Sequence, residues 1–189
     1  MDIYQISQYW TDHEEELCKF DSLQLKDPRL LRSTIDFLIN CGLPRNCAPG
    51  LSFETYNDVA VPTSNTVFNI DIDGLDSYFM IGSNGCGDPV CVDLDHDNEI
   101  VYLNHDNYFD RIFINSSIHQ LAECIIRYRN FYLSLDSRFE NNIFAKRKFS
   151  DDEFYKVSGD FKTIDAKCLE EDACWKSELE YLVWERDNE

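Results

Sequence analysis

The chain has 189 residues, of which 43% are hydrophobic and 14% are aromatic, so it can fold around one sizeable core. This composition differs from that of disordered chains, which combine low hydrophobicity with high net charge. The formal net charge is −19, and a field of this sign repels phosphate backbones and anionic lipids. We therefore expect no direct binding to nucleic acid or to a membrane surface.

The negative charge is concentrated in the middle of the chain. Residues 51 to 115 contain twelve Asp or Glu residues and one basic residue, Arg111, so this third of the chain carries a charge of −11. Such a segment would steer a basic partner toward the protein in a salt-dependent way. An acidic surface that only keeps the protein in solution explains the charge equally well.

The eight cysteines are expected to be reduced thiols. The first residues, MDIYQISQYWTDHEEE, contain no basic start followed by an apolar run, so they predict no secretory signal and favour a cytoplasmic protein. Cys41, Cys91 and Cys124 fall at apolar positions of the predicted elements, where a thiol behaves as a small hydrophobe. No stretch approaches the roughly 20 apolar residues of a membrane span, which predicts a soluble protein.

Two helices are predicted in the first part of the chain. Residues 1 to 25 carry apolar side chains at loosely helical spacing and predict an N-terminal helical extension. A second helix is predicted to begin after Asp27, which can cap free backbone amides, and to end at Gly42 and Pro44. The apolar positions are Tyr4, Ile6, Tyr9, Trp10 and Leu17 in the first helix and Leu31, Ile35, Leu38 and Cys41 in the second.

Six short runs rich in β-forming residues follow from residue 51. Gly, Pro, Asn and Asp separate them, which is typical of a meandering antiparallel sheet. In TVFNIDI polar and apolar residues alternate, which predicts a sheet with one buried and one wet face. The runs are LSFETY (51–56), TVFNIDI (66–72), YFMIG (78–82), PVCVDL (89–94), EIVYLN (99–104) and RIFIN (111–115).

Two further helices are predicted after the sheet. Ser117 and Gln120 have the spacing of a capping box, so a long helix is expected from Ser116 or Ser117, packed on the sheet. The region 136–163 is mixed, and its basic cluster at 145–148 is expected to be a solvated loop rather than a nucleic-acid patch. A terminal amphipathic helix should bury its apolar stripe in the core, although that stripe could also receive a partner. Its stripe consists of Trp175, Leu179, Leu182 and Val183.

The motifs that could carry chemistry are incomplete. Asp93, Asp95 and Asp97 have the spacing that opens a calcium-binding loop, but Asn98 and Asn104 replace the Gly and the bidentate Glu of such a loop. The Gly-rich stretch 81–88 precedes a strand rather than a helix, which predicts a tight turn rather than a phosphate cradle. The histidines and cysteines match no zinc or nucleophile pattern. We therefore predict no catalytic residue, no metal site and no cofactor.

Several segments together resemble the SUKH superfamily, which groups bacterial immunity proteins with fungal regulators of glucan synthesis. The resemblance covers most of the chain from about Pro28 onward. Cys86, Cys91 and the long connection 136–163 depart from the family pattern. The segments that carry the resemblance are DFLINCGLP, FMIGSNGCGDPVCVDLDHDNEIVYLNHD, FINSSIHQLAECIIRYRNFY and IDAKCLEEDACWKSELEYL.

The resemblance implies a single α+β domain over residues 1–189. A central, mostly antiparallel sheet of five to six strands should be surrounded by helices, with an extra C-terminal helix inside an extension over 136–189. It also implies a protein without catalytic activity.

The resemblance further implies that the protein neutralises a cognate toxin, often a nuclease or a deaminase. The acidic charge independently fits a basic, nucleic-acid-directed toxin domain as the partner of a monomeric inhibitor. There are two alternatives. One is a regulatory scaffold of the glucan-synthesis type, and the other is a small metal-dependent enzyme that uses the aspartate ladder Asp93, Asp95 and Asp97. The residues expected at the partner-binding surface are Asp88, Asp93, Asp95, Asp97, Asp106 and Asp110.

Overall fold

The structure, a computed structural model, describes residues 1–136 and 148–188. Six α-helices and eight β-strands form within these ranges. The helices are α1 (Ile3–Asp12), α2 (Arg32–Asn40), α3 (Ser64–Phe68), α4 (Ile118–Asp136), α5 (Asp151–Ile164) and α6 (Cys174–Asp187). The strands are β1 (Leu17–Cys18), β2 (Leu43–Pro44), β3 (Asn46–Cys47), β4 (Leu51–Phe53), β5 (Tyr78–Asn84), β6 (Pro89–Asp93), β7 (Glu99–Asn104) and β8 (Asp110–Asn115).

The central sheet has six antiparallel strands in the order β3-β4-β5-β6-β7-β8, and β1 and β2 form a separate antiparallel pair. Each strand of the large sheet pairs with its neighbour in the chain. Short turns join the other neighbours, whereas residues 54–77, including α3, connect β4 to β5. This architecture confirms the predicted α+β domain, its antiparallel sheet and its C-terminal helix.

The predicted strand at 66–72 is wrong, because the first part of this run is helix α3. The Thr63 hydroxyl accepts a hydrogen bond from the Thr66 N–H, and the Thr66 hydroxyl accepts one from the Thr63 N–H, which closes a capping box. Asn69 then ends the helix in a left-handed conformation at φ 53°. These local hydrogen bonds outweigh the alternating pattern that predicted a strand.

The first face of the sheet forms the main core with the long helices. Side chains of β5, β6 and β7, such as Phe79, Val92 and Ile100, are buried in the same cluster as Leu121 of α4. The helix predicted near Ser117 is confirmed, and the Ser117 hydroxyl accepts a hydrogen bond from the Gln120 N–H at 3.3 Å. Because α4 covers this face, the sheet is shielded here as predicted.

The second face of the sheet is also covered, which corrects the prediction that this face is exposed to solvent. Met80, Cys91 and Val101 lie there in a second, smaller core. Val67 and Ile70 from the α3 region pack against this core. The connection between β4 and β5 therefore folds back over the sheet instead of adding a strand to it.

Helix α2 begins later than predicted. Its N-cap is Leu31, and Asp27 instead accepts hydrogen bonds from the backbone and the guanidinium of Arg29. Its predicted end is confirmed, because Gly42 has a φ of +76° and its N–H donates to the Phe37 carbonyl. No helix in the described ranges is both long enough and apolar enough to cross a membrane.

The C-terminal extension is built into the domain. The indole N–H of Trp175 donates to the Asn115 side chain at 2.8 Å, and the Asn115 amide donates to Asp165 at 3.1 Å. Trp175 in α6 is thereby bound to the end of β8. Helix α5 was not predicted, although Ser150 and Glu153 form a capping box at its start. The basic cluster predicted as a loop lies outside the described residues except for Lys148.

Candidate protein-binding surface

Three of the predicted surface acids lie at the end of β6 and in the turn that follows it, but the first of them, Asp93, is internal. Asp93 is only 1% exposed, and its carboxylate accepts a hydrogen bond from the Arg111 guanidinium at 2.6 Å. Arg111 also binds Glu99, which pairs with Lys167 of the C-terminal extension. This cluster joins β6, β7, β8 and the C-terminal extension, so the Asp93 carboxylate is used inside the fold.

The next two acids of this turn are exposed. Asp95 accepts hydrogen bonds from the Ser77 hydroxyl and, at 3.3 Å, from Arg29. The Ser77 hydrogen bond and the Arg29 charge hold the pKa of Asp95 below its usual value. Asp97 occupies the turn itself at φ 48° and forms no ion pair with any described residue. Two of the three acids are therefore neutralised within the fold.

Asp88, at the opposite end of β6, is also buried, at 6% exposure. Its carboxylate accepts hydrogen bonds from the His105 N–H at 3.0 Å and from the Asn84 amide at 2.8 Å, and it contacts the His105 ring at 2.6 Å. Burial opposes the charged form, but these hydrogen bonds and the His105 charge together keep the pKa of Asp88 below its usual value. Asp88 therefore ties the β5–β6 turn to the end of β7.

The six predicted surface acids do not form one cluster. Asp93, Asp95 and Asp97 lie at one end of β6, whereas the other three lie at its far end or in the β7–β8 turn. Asp88 and Asp93 are buried and use their carboxylates internally, whereas Asp95, Asp97, Asp106 and Asp110 are exposed. That these acids contact a partner stays a prediction.

The β7–β8 turn presents an aromatic residue that the sequence did not single out. Tyr108 is 95% exposed at φ 53°, and the following Phe109 has a φ of 62°. Phe109 packs against the second core of the sheet, and its N–H donates to the Asn104 carbonyl at 2.9 Å. This anchoring holds the turn in a conformation that bulky residues rarely adopt and directs Tyr108 into solvent.

The connection from α3 to β5 presents two further apolar side chains. Phe68 and Ile72 are each 42% exposed, and Asp71 and Asp73 beside them are exposed as well. The buried Asn65 side chain both donates to the Ile72 carbonyl and accepts from the Ile72 N–H, each at 3.1 Å. The backbone at Ile72 is thus fixed while its side chain remains partly in solvent. The capping-box spacing of residues 63–66 could have revealed this helix and turn.

The groups suited to catalysis or metal binding are dispersed. No group of three potential metal ligands occurs in the described ranges. Asp93 of the aspartate ladder already forms an ion pair with Arg111. Burial raises the pKa of Cys91 and of Cys174 to about 12, so these thiols are protonated at neutral pH. Burial also lowers the pKa of His119, which packs edge-on against Phe37.

A groove of about 550 Å³ lies between α4 and α6. The Tyr128 hydroxyl donates to Glu178 there, and burial raises the pKa of Glu178. The described lining contains no His, Cys or Ser that could act as a nucleophile or a shuttling base beside this carboxyl group. The groove therefore has one perturbed carboxyl group and no recognisable catalytic arrangement.

Comparisons with models of protein families, with curated proteins and with solved structures found no match to the chain.

Proposed function

We propose that the protein is a cytoplasmic, non-catalytic immunity-type protein that binds and neutralises a basic toxin domain as a monomer. The resemblance of the chain to the SUKH superfamily supports this proposal, as does its acidic surface. A toxin that acts on nucleic acid presents positive charge to its substrate, and an acidic protein can cover that charge.

The observation that carries the proposal is the imbalance of exposed charge between residues 51 and 115. Nine of the twelve acids in this segment are exposed. Its one basic residue, Arg111, is bound internally by Asp93 and Glu99. The segment therefore presents carboxylates to solvent with no cation of its own among them, and this field would accelerate encounter with a basic protein.

A binding titration against the basic toxin domain encoded beside this gene tests the proposal. We expect a complex that weakens at least roughly tenfold between 50 and 300 mM NaCl, because screening shortens the reach of the acidic field. Co-expression of the two proteins should restore growth to cells that the toxin domain inhibits. The absence of both a complex and growth rescue would overturn the proposed function.

A regulatory scaffold is the second candidate, and exposed aromatic residues on the C-terminal helices favour it. Tyr155 on α5 and Trp184 on α6 are both exposed, and they lie on different elements from the acidic segment. A scaffold would use several such surfaces for different cellular proteins. It predicts stable co-purification with housekeeping proteins and no rescue from the neighbouring toxin, which is the opposite of the result expected for an immunity protein.

A further inference from the structure

Two segments that are distant in sequence cover the same face of the sheet. Val67 and Ile70 from the α3 region and Phe109 from the β7–β8 turn all pack against the second core. The exposed residues Phe68 and Tyr108 directly adjoin these packed residues in the chain. The two segments are therefore anchored by one core while their neighbouring side chains point to solvent.

The apolar side chains exposed by these segments are held by rigid local structure. Ile72 is fixed through the paired hydrogen bonds to Asn65, and Tyr108 is fixed through the partly buried Phe109, which packs against the second core. A side chain on a preorganised backbone loses little conformational freedom when a partner binds, so more of its contact energy contributes to affinity. Tyr and Phe also supply large contact areas with few rotatable bonds.

The two segments that carry these apolar side chains contain carboxylates but no lysine or arginine. Residues 51–76 contain five acids and residues 104–110 contain two, without a Lys or Arg in either segment. Within the described ranges, Asp71 and Asp73 take part in no ion pair. At the other end of β6, by contrast, Arg29 neutralises Asp95 and Arg111 neutralises Asp93. The unpaired negative charge thus coincides with the exposed apolar side chains.

We propose that these two segments form the docking surface for a basic protein, with three apolar anchors and the exposed carboxylates that neighbour them in the chain. This inference rests on the proposed function and names the face that performs it. The anchors would enter a shallow apolar recess of the partner while the carboxylates meet surrounding Lys and Arg side chains. The surface, hereafter the acidic–aromatic face, consists of Phe68, Asp71, Ile72, Asp73, Asp106, Tyr108 and Asp110.

Charge selects a basic protein over a second copy of the chain as the occupant. A symmetric dimer through this face would bring the same patch of each copy together. The carboxylates of the acidic–aromatic face would then oppose one another with no Lys or Arg from either segment between them, and His105, 3.4 Å from Asp106, is the one basic side chain in residues 104–110. Such an arrangement is strongly unfavourable when water is excluded. A partner with positive charge turns the same exposed acids into an attractive contact.

The location of the surface can be tested without the natural partner. The probe is a synthetic peptide of alternating lysine and tryptophan, titrated into the ¹⁵N-labelled full chain while amide shifts are recorded. The largest shifts should fall in residues 66–74 and 104–110. Shifts concentrated instead at 95–99, or at α5 and α6, would overturn the proposal, as would shifts spread evenly over the surface. This result does not depend on the toxin domain, so a failure of the proposed function is seen separately.

Substitution of the anchors gives the second test. Tyr108→Asn keeps a residue that tolerates positive φ, and Phe68→Ser removes the aromatic ring of α3. The matched control is Tyr155→Ser, an exposed aromatic residue on α5. Each anchor variant should weaken peptide binding roughly tenfold or more, whereas the control should leave it unchanged. Equal effects of all three variants, or no effect of any, would contradict the proposal.

The carboxylates need their own variants, because an apolar substitution alone does not test charge. Asp71→Lys combined with Asp73→Lys reverses two charges on exposed residues, and Glu180→Lys on α6 is the control. The double variant should abolish detectable peptide binding at low salt, while the control retains it. Unchanged melting temperatures would show that all variants are folded; binding that survives the double reversal would exclude this face.

Discussion

Asp88 and Asp93 show how burial changes the role of a carboxylate. Both belong to the acidic middle third of the chain, yet each is enclosed by donors from neighbouring strands, His105 for the first and Arg111 for the second. A buried carboxylate with several charge-assisted hydrogen bonds fixes the geometry around it. These two residues therefore shape the turns on which the exposed acids are displayed.

The stability contributed by Asp88 should depend on pH. Its folded-state pKa is lowered, so its contribution is fully present above the unfolded pKa near 3.9 and is lost as the pH falls through the folded value. Asp88→Asn should cost about 1–3 kcal/mol at pH 7, because the hydrogen bonds to the carboxylate are weakened or lost. Urea unfolding of both proteins between pH 3 and pH 7 measures this difference.

The same titration contains its own check. The difference in the free energy of unfolding between the wild-type protein and the Asp88→Asn variant should narrow below about pH 4. At that pH the wild-type carboxylate becomes protonated in the unfolded chain. If that difference stayed constant down to pH 3, the loss of stability in the variant would come from altered packing alone, and the lowered pKa of Asp88 would have no effect on folding.

At the residue scale, the sequence identified the acids but not their burial. Asp93 and Asp97 look equivalent in the printed sequence, and only the pairing of β7 with β8 brings Arg111 to the first of them. Tyr108 was not singled out because its exposure follows from positive backbone angles at Tyr108 and Phe109. Such angles are uncommon for aromatic residues, so composition gives little warning of them.

Helices and strands were predicted correctly where the local sequence pattern agrees with the packing of the folded chain. The four strands from β5 to β8 were predicted because β-rich runs alternate with turn residues there. Helix α3 was missed because capping hydrogen bonds between Thr63 and Thr66 override the alternation. Helix α5 was missed because its apolar positions are sparse, with Val157 and Phe161 the two buried residues of its fourteen. Its burial depends on α4, which a local pattern does not reveal.

Gly82 in β5 should be the most sensitive glycine of the sheet. A Cβ built at this position would lie 2.0 Å from the Ser52 carbonyl oxygen and 2.9 Å from the Phe53 Cα, both in the backbone of β4. Because neither atom can turn away as a side chain would, Gly82→Ala must push β4 from the sheet. We expect a loss of about 3 kcal/mol or more in the free energy of unfolding, measured by urea denaturation.

Gly159 in α5 provides the matched control for this substitution. Apart from its chain neighbours and the backbone of its own helix, nothing lies within 4 Å of a Cβ built at Gly159, so alanine fits without displacement. Because alanine has the higher helix propensity, Gly159→Ala should stabilise the protein by about 0.5–1 kcal/mol. If both substitutions changed the free energy of unfolding alike, the close approach of β4 to β5 would not be what constrains Gly82.

At the scale of the molecule, the C-terminal extension completes the domain. Asp165 accepts hydrogen bonds from Asn115 and from the Ser116 backbone, and Trp175 donates to Asn115. The end of β8, the start of α4 and the start of α6 therefore share one polar junction inside the core. The sequence predicted the terminal helix from its apolar stripe, but the partner of Trp175 lies sixty residues earlier and could not be read from local periodicity.

The net charge of −19 should make the stability of the whole molecule depend on salt. A folded chain of this size has a radius of gyration of roughly 16 Å. At 10 mM salt the Debye length is about 30 Å, so carboxylates repel one another across the molecule, whereas at 100 mM it is about 10 Å. The unfolded chain is more extended and suffers less repulsion, so added salt should favour the folded state.

Added salt also weakens the ion pairs that stabilise the fold, but this destabilising effect is small. The pair between Arg111 and Asp93 is short and partly buried, so salt screens it less than it screens exposed charges. We therefore expect the free energy of unfolding in urea to rise by on the order of 1 kcal/mol between 10 and 100 mM NaCl. A zwitterionic solute at equal osmolarity is the control for effects unrelated to screening. The double variant Asp71→Asn with Asp73→Asn should show a smaller rise in the free energy of unfolding with salt, because it removes two unpaired exposed charges. If the stability of the wild-type protein fell with added salt, ion pairs would outweigh the repulsion between carboxylates.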